Sequence, residues 1–259
     1  MLSIVHPSFC ADHIELVIPS QELNRDMDVT VILPDSYSNS NISYTTVYIL
    51  HGAGAGKNSI INNVNLSELS DSLQLILVLP TSGRYSWYVN SSVKKGLRVE
   101  SYLIDELIPL IDRKFRTDNN CRSISGISMG GYGALSLAIN HPGVFSGVGS
   151  ISGCVDFRPW PKNWKLDKAF GKLASNREYW DSMVIINRLV VRELEKVKIQ
   201  LHCGQSDSFI EQNEALHKEL LFCELEHDYS VAEGGHDWVY WNLALREQLI
   251  TFKKWHEEK

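Results

Sequence analysis

A mixed, mostly parallel sheet with helices on both faces is the fold class this sequence predicts. Three observations carry it. The first eighty residues read as a succession of strands, two of which look like an antiparallel pair. Beyond residue 98, helix-patterned and strand-patterned segments alternate, as βαβ crossovers require. Between them, "LQLILVLP" (73–80) is almost continuously apolar, as a parallel strand buried on both faces must be.

The elements follow in order. "HIELVIP" and "DVTVILP" alternate or run apolar, and each closes on a proline, Pro19 and Pro34. "YTTVYIL" is a third strand and runs into "HGAGAGK". "INNVNLSELSDSL" has helical spacing and leads into the apolar fourth strand. In "RVESYLIDELIPLIDRKF", Leu103, Leu107, Leu110 and Ile111 fall on one helical face. "CRSISGIS" is a strand, and "GALSLAIN" is a helix that stops at His141-Pro142. "FSGVGSISG", "VKIQLHCG" and "HDYSVAEG" are later strands, the last two separated by the helical "SFIEQNEALHKELL". A final helix presents Trp241, Leu245, Leu249 and Phe252 on one face. This makes about eight strands in one domain spanning 1–259. The segment at about 154–180 is a small cap-like insertion, too short for a large lid domain. Right-handed crossovers place ligands at the carboxyl ends of such strands.

Composition narrows the function classes. The net charge of −6 and pI near 5.8 argue against nucleic acid, whose phosphates demand clustered Lys and Arg. No apolar run approaches the roughly 20 residues that span a bilayer, and the N-terminus lacks a basic region followed by an apolar one. Cys10, Cys121, Cys154, Cys203 and Cys223 show no C-x-x-C spacing and lie among apolar neighbours, so buried thiols in a reducing compartment are expected. The expectation is a cytoplasmic protein with no membrane partner; nothing in the sequence opposes a homo-oligomer.

Gly126-Ile127-Ser128-Met129-Gly130 is a G-x-S-x-G motif. Chance alone gives one in roughly a tenth of sequences of this composition. Its setting adds the weight: Ser128 lies between a predicted strand and a predicted helix, where a nucleophilic serine sits in a sharp, strained turn. A serine hydroxyl needs a base, and the base needs an orienting acid, in the chain order Ser, Asp or Glu, His. His236 in "AEGGHDW" follows the last strand in a glycine-rich loop, whereas His202, His217 and His227 lie within or beside strands. Asp207 in "HCGQSDSF" follows the penultimate strand; its alternative role is a helix cap. Asp181, Asp228, Asp237 and Glu211 are worse placed. Two backbone N–H donors must face the oxyanion. Met129 supplies one and Ala53 the other, with Gly52 and Gly54 as possible substitutes. "HGAGAGK" is one residue short of a Walker A loop, and Asn58 follows its lysine, so a nucleotide is not expected. His51 lacks the companions of a metal site and reads as a loop brace. Neither metal nor cofactor is expected.

"YILHGAGAG", "GRYSWYVN", "YLIDELIPLID", "GISMGGYGAL", "HCGQSDSF" and "GGHDWVYW" together resemble one group of α/β-hydrolases. It holds tributyrin esterases, esterase D (S-formylglutathione hydrolase), feruloyl esterases and antigen 85 mycolyltransferases. The likeness runs from about Val47 to about Trp241 and is closest to small tributyrin-esterase-like carboxylesterases. It implies an α/β-hydrolase fold, the triad Ser128, Asp207 and His236, and oxyanion donors at Ala53 and Met129. Relatives often carry Trp or Phe soon after the H-G loop, where this chain reads "KNSIINNVNLSEL".

The expected reaction is hydrolysis of short-chain acyl or small aromatic esters through an acyl-enzyme, with a small-molecule ester as partner. The alternatives are an acyltransferase or thioesterase with the same triad, or a silent binding protein on this scaffold. Trp160 and Trp164, with Phe157, either line an acyl or alcohol pocket or cover the sheet. Trp87 and Tyr88 are expected at the border of the site, and Trp238 beside the base.

Overall fold

The computed structural model describes residues 12–258; Cys10 lies outside them. The chain opens with a hairpin of β1 (Asp12–Ser20) and β2 (Arg25–Leu33), paired antiparallel from Asp12↔Leu33 to Ser20↔Arg25. β3 (Tyr44–Leu50) follows. α1 (Lys57–Ile61) and α2 (Leu66–Leu73) then lead to β4 (Leu75–Pro80). The segment expected as one helix is two, because Asn65 caps α2 by accepting from the Glu68 N–H at 3.3 Å.

α3 (Val99–Ser101) and α4 (Ile108–Lys114) flank a π-helical turn at Tyr102–Leu107 where one continuous helix was expected. Pro109 accounts for the departure. It has no N–H to give to the Asp105 carbonyl, and its ring crowds that carbonyl, so the helix widens just before it.

Beyond this, strand and helix alternate. The order is β5 (Thr117–Ile127), α5 (Met129–Asn140), β6 (Gly147–Ile151), then α6 (Leu166–Phe170), α7 (Arg177–Met183) and α8 (Val191–Leu194). β7 (Lys198–Gly204), α9 (Ile210–Phe222), β8 (His227–Ala232) and α10 (Trp238–Glu257) close the chain. Among the described residues the sheet has eight strands in the order β1-β2-β4-β3-β5-β6-β7-β8. From β4 to β8 every neighbouring pair is parallel. This is the α/β-hydrolase arrangement, with no large lid.

Alternation sorts the strand side chains onto two cores. Tyr48, Leu50, Val148 and Leu201 face α4, α5 and α9. Val47, Ile49, Ile127 and Ile151 face α2 and α10. Register brings the carboxyl ends of the central strands level, with Leu50 opposite Gly126, Ile127 opposite Ile151, and Gly204 opposite Ala232. The loops that carry Ala53, Ser128, Asp207 and His236 therefore all leave from one edge of the sheet. Among the described residues no helix is long and apolar enough to cross a membrane.

A buried polar node fixes α10 under these strands. Gln248 is fully buried, accepts from the Ser125 hydroxyl at 2.6 Å, and lies 3.0 Å from Nδ1 of the buried His202. Gly149 makes room for it, since a Cβ there would stand 2.1 Å from the Gln248 Oε1. Gln248→Leu strands the Ser125 hydroxyl and the His202 nitrogen, each costing about 1–3 kcal/mol when buried without a partner. We expect its thermal midpoint to fall by roughly 5–15 °C in a calorimetric scan. An unchanged midpoint would remove the node from the account of stability.

Candidate active site

The site begins with a steric demand. Ser128 has φ 58° and ψ −114°, a conformation that costs a non-glycine residue about 1–3 kcal/mol. Its own backbone bonds hold it there. The Ser128 N–H donates to the Ile151 carbonyl at 2.9 Å, and the Ser128 carbonyl accepts from Tyr132 at 3.1 Å and Cys154 at 3.2 Å. The boxing glycines explain themselves by distance. A Cβ on Gly126 would lie 2.3 Å from the Gly130 carbonyl, and one on Gly130 would lie 2.2 Å from the Leu50 oxygen. Only bare backbone lets β3, β5 and α5 meet this closely, and the meeting pushes the serine out over the sheet edge.

His236 reaches Ser128 from the loop after β8, with Nε2 3.0 Å from the Ser128 Oγ. Its Nδ1 lies 2.9 Å and 3.1 Å from the two carboxylate oxygens of Asp207. An ionised carboxylate only accepts, so Nδ1 carries the proton and Nε2 offers its lone pair to the serine hydroxyl. The three residues, 108 and 29 positions apart, thus form one hydrogen-bonded line.

Asp207 is buried. Burial pushes its carboxyl up, but bonds from His236 and Ser152, the charge of His236 and the Phe209 N–H outweigh burial and hold the carboxyl below its ordinary value. The capping alternative is realised alongside, since Asp207 accepts from the Phe209 N–H at 2.8 Å just before α9. Asp237 caps α10 instead, accepting from Val239 and Tyr240.

Two aromatic rings clamp the imidazole edge-on. Phe209 lies 4.9 Å from it and Trp241 4.8 Å. Trp241 also donates its indole N–H to the Ser152 hydroxyl at 3.1 Å. Trp238 was expected beside the base, but it packs on Trp241 at 5.2 Å. The helical turn that starts at Trp238 brings position 241 back to His236. Phe209, Trp241 and Ser152 are the partners that sequence reasoning missed. The aromatic two residues past Asp207 was the available signal for Phe209.

The His51–Gly56 loop lies against the serine, since a Cβ on Gly52 would stand 3.5 Å from the Ser128 Cβ. Gly54 donates to the Arg84 carbonyl at 2.6 Å and Ala55 to Gly52 at 3.3 Å; among the described residues the Ala53 N–H makes no such backbone bond. Met129 opens α5, and the first N–H groups of a helix have no acceptor within it. His51 braces the loop. Its Nδ1 lies 2.9 Å from the Gly52 carbonyl and its Nε2 3.1 Å from the Ser82 hydroxyl. Burial lowers its pKa, so the ring is neutral, with Nδ1 donating to the carbonyl and Nε2 accepting from Ser82.

Trp87 and Tyr88 are a correction to the expected border of the site. Trp87 is 1% exposed and Tyr88 0%. Trp87 packs among Tyr132, Phe157 and Phe170, and its indole N–H donates to the Trp164 carbonyl at 3.2 Å. Tyr88 lies over Gly133 and donates to the His51 carbonyl at 2.9 Å. Both support the loops from behind. Phe157, stacked on Phe170, is equally buried. Trp160 and Trp164 are half-buried and pack on Phe209 at 4.9 Å and 5.7 Å, which places them one ring from His236.

With this geometry in view, the comparisons are specific. A family model described as "Putative esterase" matches residues 20–252. The chain belongs to this esterase family. Its fold is that of its relatives. An esterase of Mycobacterium tuberculosis is 34% identical over 135 residues, which are 50% of this chain and 30% of that protein, so the chain spans about a third of that relative. An acetyl esterase of Caldicellulosiruptor saccharolyticus is 26% identical over 91% of this chain and 96% of its own length. The solved structure of a ferulic acid esterase superposes with a TM-score of 0.82 at 24% identity, over 95% of this chain and 99% of that one, a likeness of fold.

The depressed Asp207 carboxyl fixes a sign. A group whose folded pKa lies below its unfolded value stabilises the fold above the unfolded value, about 3.9 for Asp, and loses that contribution as pH falls through the folded one. Thermal midpoints of the parent protein and of Asp207→Asn, followed from about pH 5 down to 3, are expected to fall more steeply in the parent. Parallel curves would mean that Asp207 gains nothing from its partners.

Proposed function

We propose that this esterase is a serine carboxylesterase that cleaves short-chain acyl or small aromatic esters through an acyl-enzyme. The observation that carries the reading is the line from Ser128 Oγ through His236 to Asp207, at 3.0 Å and 2.9 Å, on a strained turn beside the Ala53 loop.

In this reading the Ser128 oxygen attacks the ester carbonyl as its proton passes to His236 Nε2. Asp207 keeps the proton on Nδ1 and stabilises the imidazolium that forms. The negative oxygen of the tetrahedral intermediate is met by the N–H groups of Ala53 and Met129. His236 then returns its proton to the leaving alcohol, whose departure leaves Ser128 acylated. Water, deprotonated by the same nitrogen, attacks the acyl carbon; the bond to Ser128 Oγ then breaks, Oγ takes the proton back from His236, and the acid is freed. The half-buried rings of Trp160 and Trp164, packed on Phe209, offer an apolar wall for a small acyl or aromatic group. The acetyl esterase among the relatives is consistent with that size.

Initial rates on p-nitrophenyl acetate, butyrate and octanoate and on methyl ferulate test the reading. The parent is expected to favour the small or aromatic esters. Ser128→Ala is expected to lose about 10⁴-fold or more in kcat at unchanged fold. Equal activity of the two proteins would refute the role of Ser128, and a parent fastest on octanoate would refute the size limit.

A further inference from the structure

Beside the Ala53 loop lies a cavity of about 380 Å³ whose lining departs from the charge of the protein as a whole. The chain carries a net charge of −6. Yet Arg25, Arg84, Lys94, Lys165 and Lys168 converge on this cavity, and no acidic side chain lines it. Among the described residues none of the five makes an ion pair. Five other arginines are paired: Arg98 with Glu22, Arg122 with Asp112, Arg158 with Asp156 and Asp181, Arg177 with Asp181, and Arg246 with Glu68. The five cavity residues come from separate parts of the chain: the first residue of β2, the segment after β4, and α6 with the residue before it.

The cavity is coupled to the candidate active site. Arg84 donates from Nε to the Gly54 carbonyl at 2.8 Å, and its own carbonyl accepts from the Gly54 N–H at 2.6 Å. The Tyr85 ring bridges the two sides. Its hydroxyl would lie 3.2 Å from a Cβ on Gly54, and the Lys165 ammonium lies 5.1 Å from its centroid. Lys165 directly follows Trp164, whose ring packs on Phe209 against His236. One wall of the cavity, at Arg84 and Tyr85, thus lies against the residue after Ala53, and the other, at Lys165, is one residue from Trp164.

Like charges gathered within a Debye length of about 8–10 Å repel one another, and a low-dielectric cleft focuses their field on whatever enters. We propose that this cavity is a subsite for the anionic end of the substrate, so that the ester cleaved at Ser128 carries a carboxylate or phosphate on its non-reacting part. The proposal rests on the esterase reading above and names its substrate class. The volume suits such a group with a few linking atoms, at the small end of ligand pockets, about 300–1,000 Å³. Leu97 and the Tyr85 ring supply apolar contact for the linker.

Two matched pairs of esters separate the anion from the chemistry. p-Nitrophenyl hemiglutarate is set against p-nitrophenyl valerate for an anion on the acyl side. 4-Acetoxybenzoate is set against methyl 4-acetoxybenzoate for one on the alcohol side. At low salt, after subtraction of spontaneous hydrolysis, kcat/KM is expected to favour the anionic member of at least one pair by about tenfold or more, through KM. The variant Lys94→Gln/Lys165→Asn/Lys168→Gln, which keeps a residue tolerant of positive φ at 165, is expected to lose that preference. Its rates on the neutral esters should stay unchanged. Salt at about 0.5 M is expected to erase the preference in the parent as well. Absence of preference in both pairs, or a preference that the triple variant keeps, overturns the proposal. Binding to Ser128→Ala decides the case independently of turnover. If 4-acetoxybenzoate raises its thermal midpoint more than the methyl ester does, and the gain vanishes when the three lysine changes are added, the subsite stands even where hydrolysis fails. Equal shifts from the two compounds would overturn it. Inert neutral esters with a selective binding shift would discard the esterase reading alone.

Discussion

The close approach of three backbones at Gly126 and Gly130 is the constraint on which the rest of this molecule depends. With a Cβ at either position, β3, β5 and α5 could not meet as they do. Because they do meet, the chain has to turn within one residue, and that residue is Ser128 at positive φ. The strain of about 1–3 kcal/mol persists because the surrounding bonds to Ile151, Tyr132 and Cys154 over-determine it. Relaxing the turn would break those bonds and unseat α5 from the sheet. The side chain of Ser128 is thereby fixed in space without needing any contact of its own.

A second consequence is electrostatic. A carboxylate with no exposed side-chain surface would take up a proton if burial acted alone. Asp207 stays charged because three donors meet it: the His236 ring, the Ser152 hydroxyl and the Phe209 amide. Ser152 is itself held by the Trp241 indole, and Trp241 presses edge-on against the same imidazole. One helix, α10, thus clamps the His236 imidazole through a ring and steadies the Asp207 carboxylate through a hydroxyl. Position and charge state are set by the same few side chains, so neither would need to reorganise in the proposed reaction as charge develops on His236.

The strands, their order of appearance and the serine, histidine and aspartate were legible in the sequence because each is a local signal. An apolar run, a glycine pair and a loop after a strand can all be read without knowing what lies across the sheet. What was not legible depends on angles. Trp238 and Trp241 differ by three residues, and only the start of α10 decides which faces His236. Trp87 and Tyr88 sit in a stretch that reads as loop, yet the fold turns both inward, where they carry the backbones of Trp164 and His51. The π-helical turn before Pro109 was hidden for a different reason. Apolar periodicity tolerates one extra residue per turn, so a widened helix still presents an amphipathic face.

Net charge was equally blind to place. A chain with 31 acidic and 25 basic residues argues against a nucleic-acid partner, but the sum says nothing about where the unpaired cations stand. Five of the eleven arginines make ion pairs among the described residues, and two of these, Arg98 with Glu22 and Arg246 with Glu68, join elements that the sequence separates widely. The five cations beside the Ala53 loop make no ion pair among the described residues, and no acidic side chain lines the cleft they share. A field made this way is felt only at short range and only within the cleft, because salt screens it beyond about 10 Å. The acidic surface elsewhere does not cancel it, and it need not draw anions from afar. Its effect is to orient whatever has already entered. In the proposed reading, an ester held by its charged end has its carbonyl left to meet Ser128.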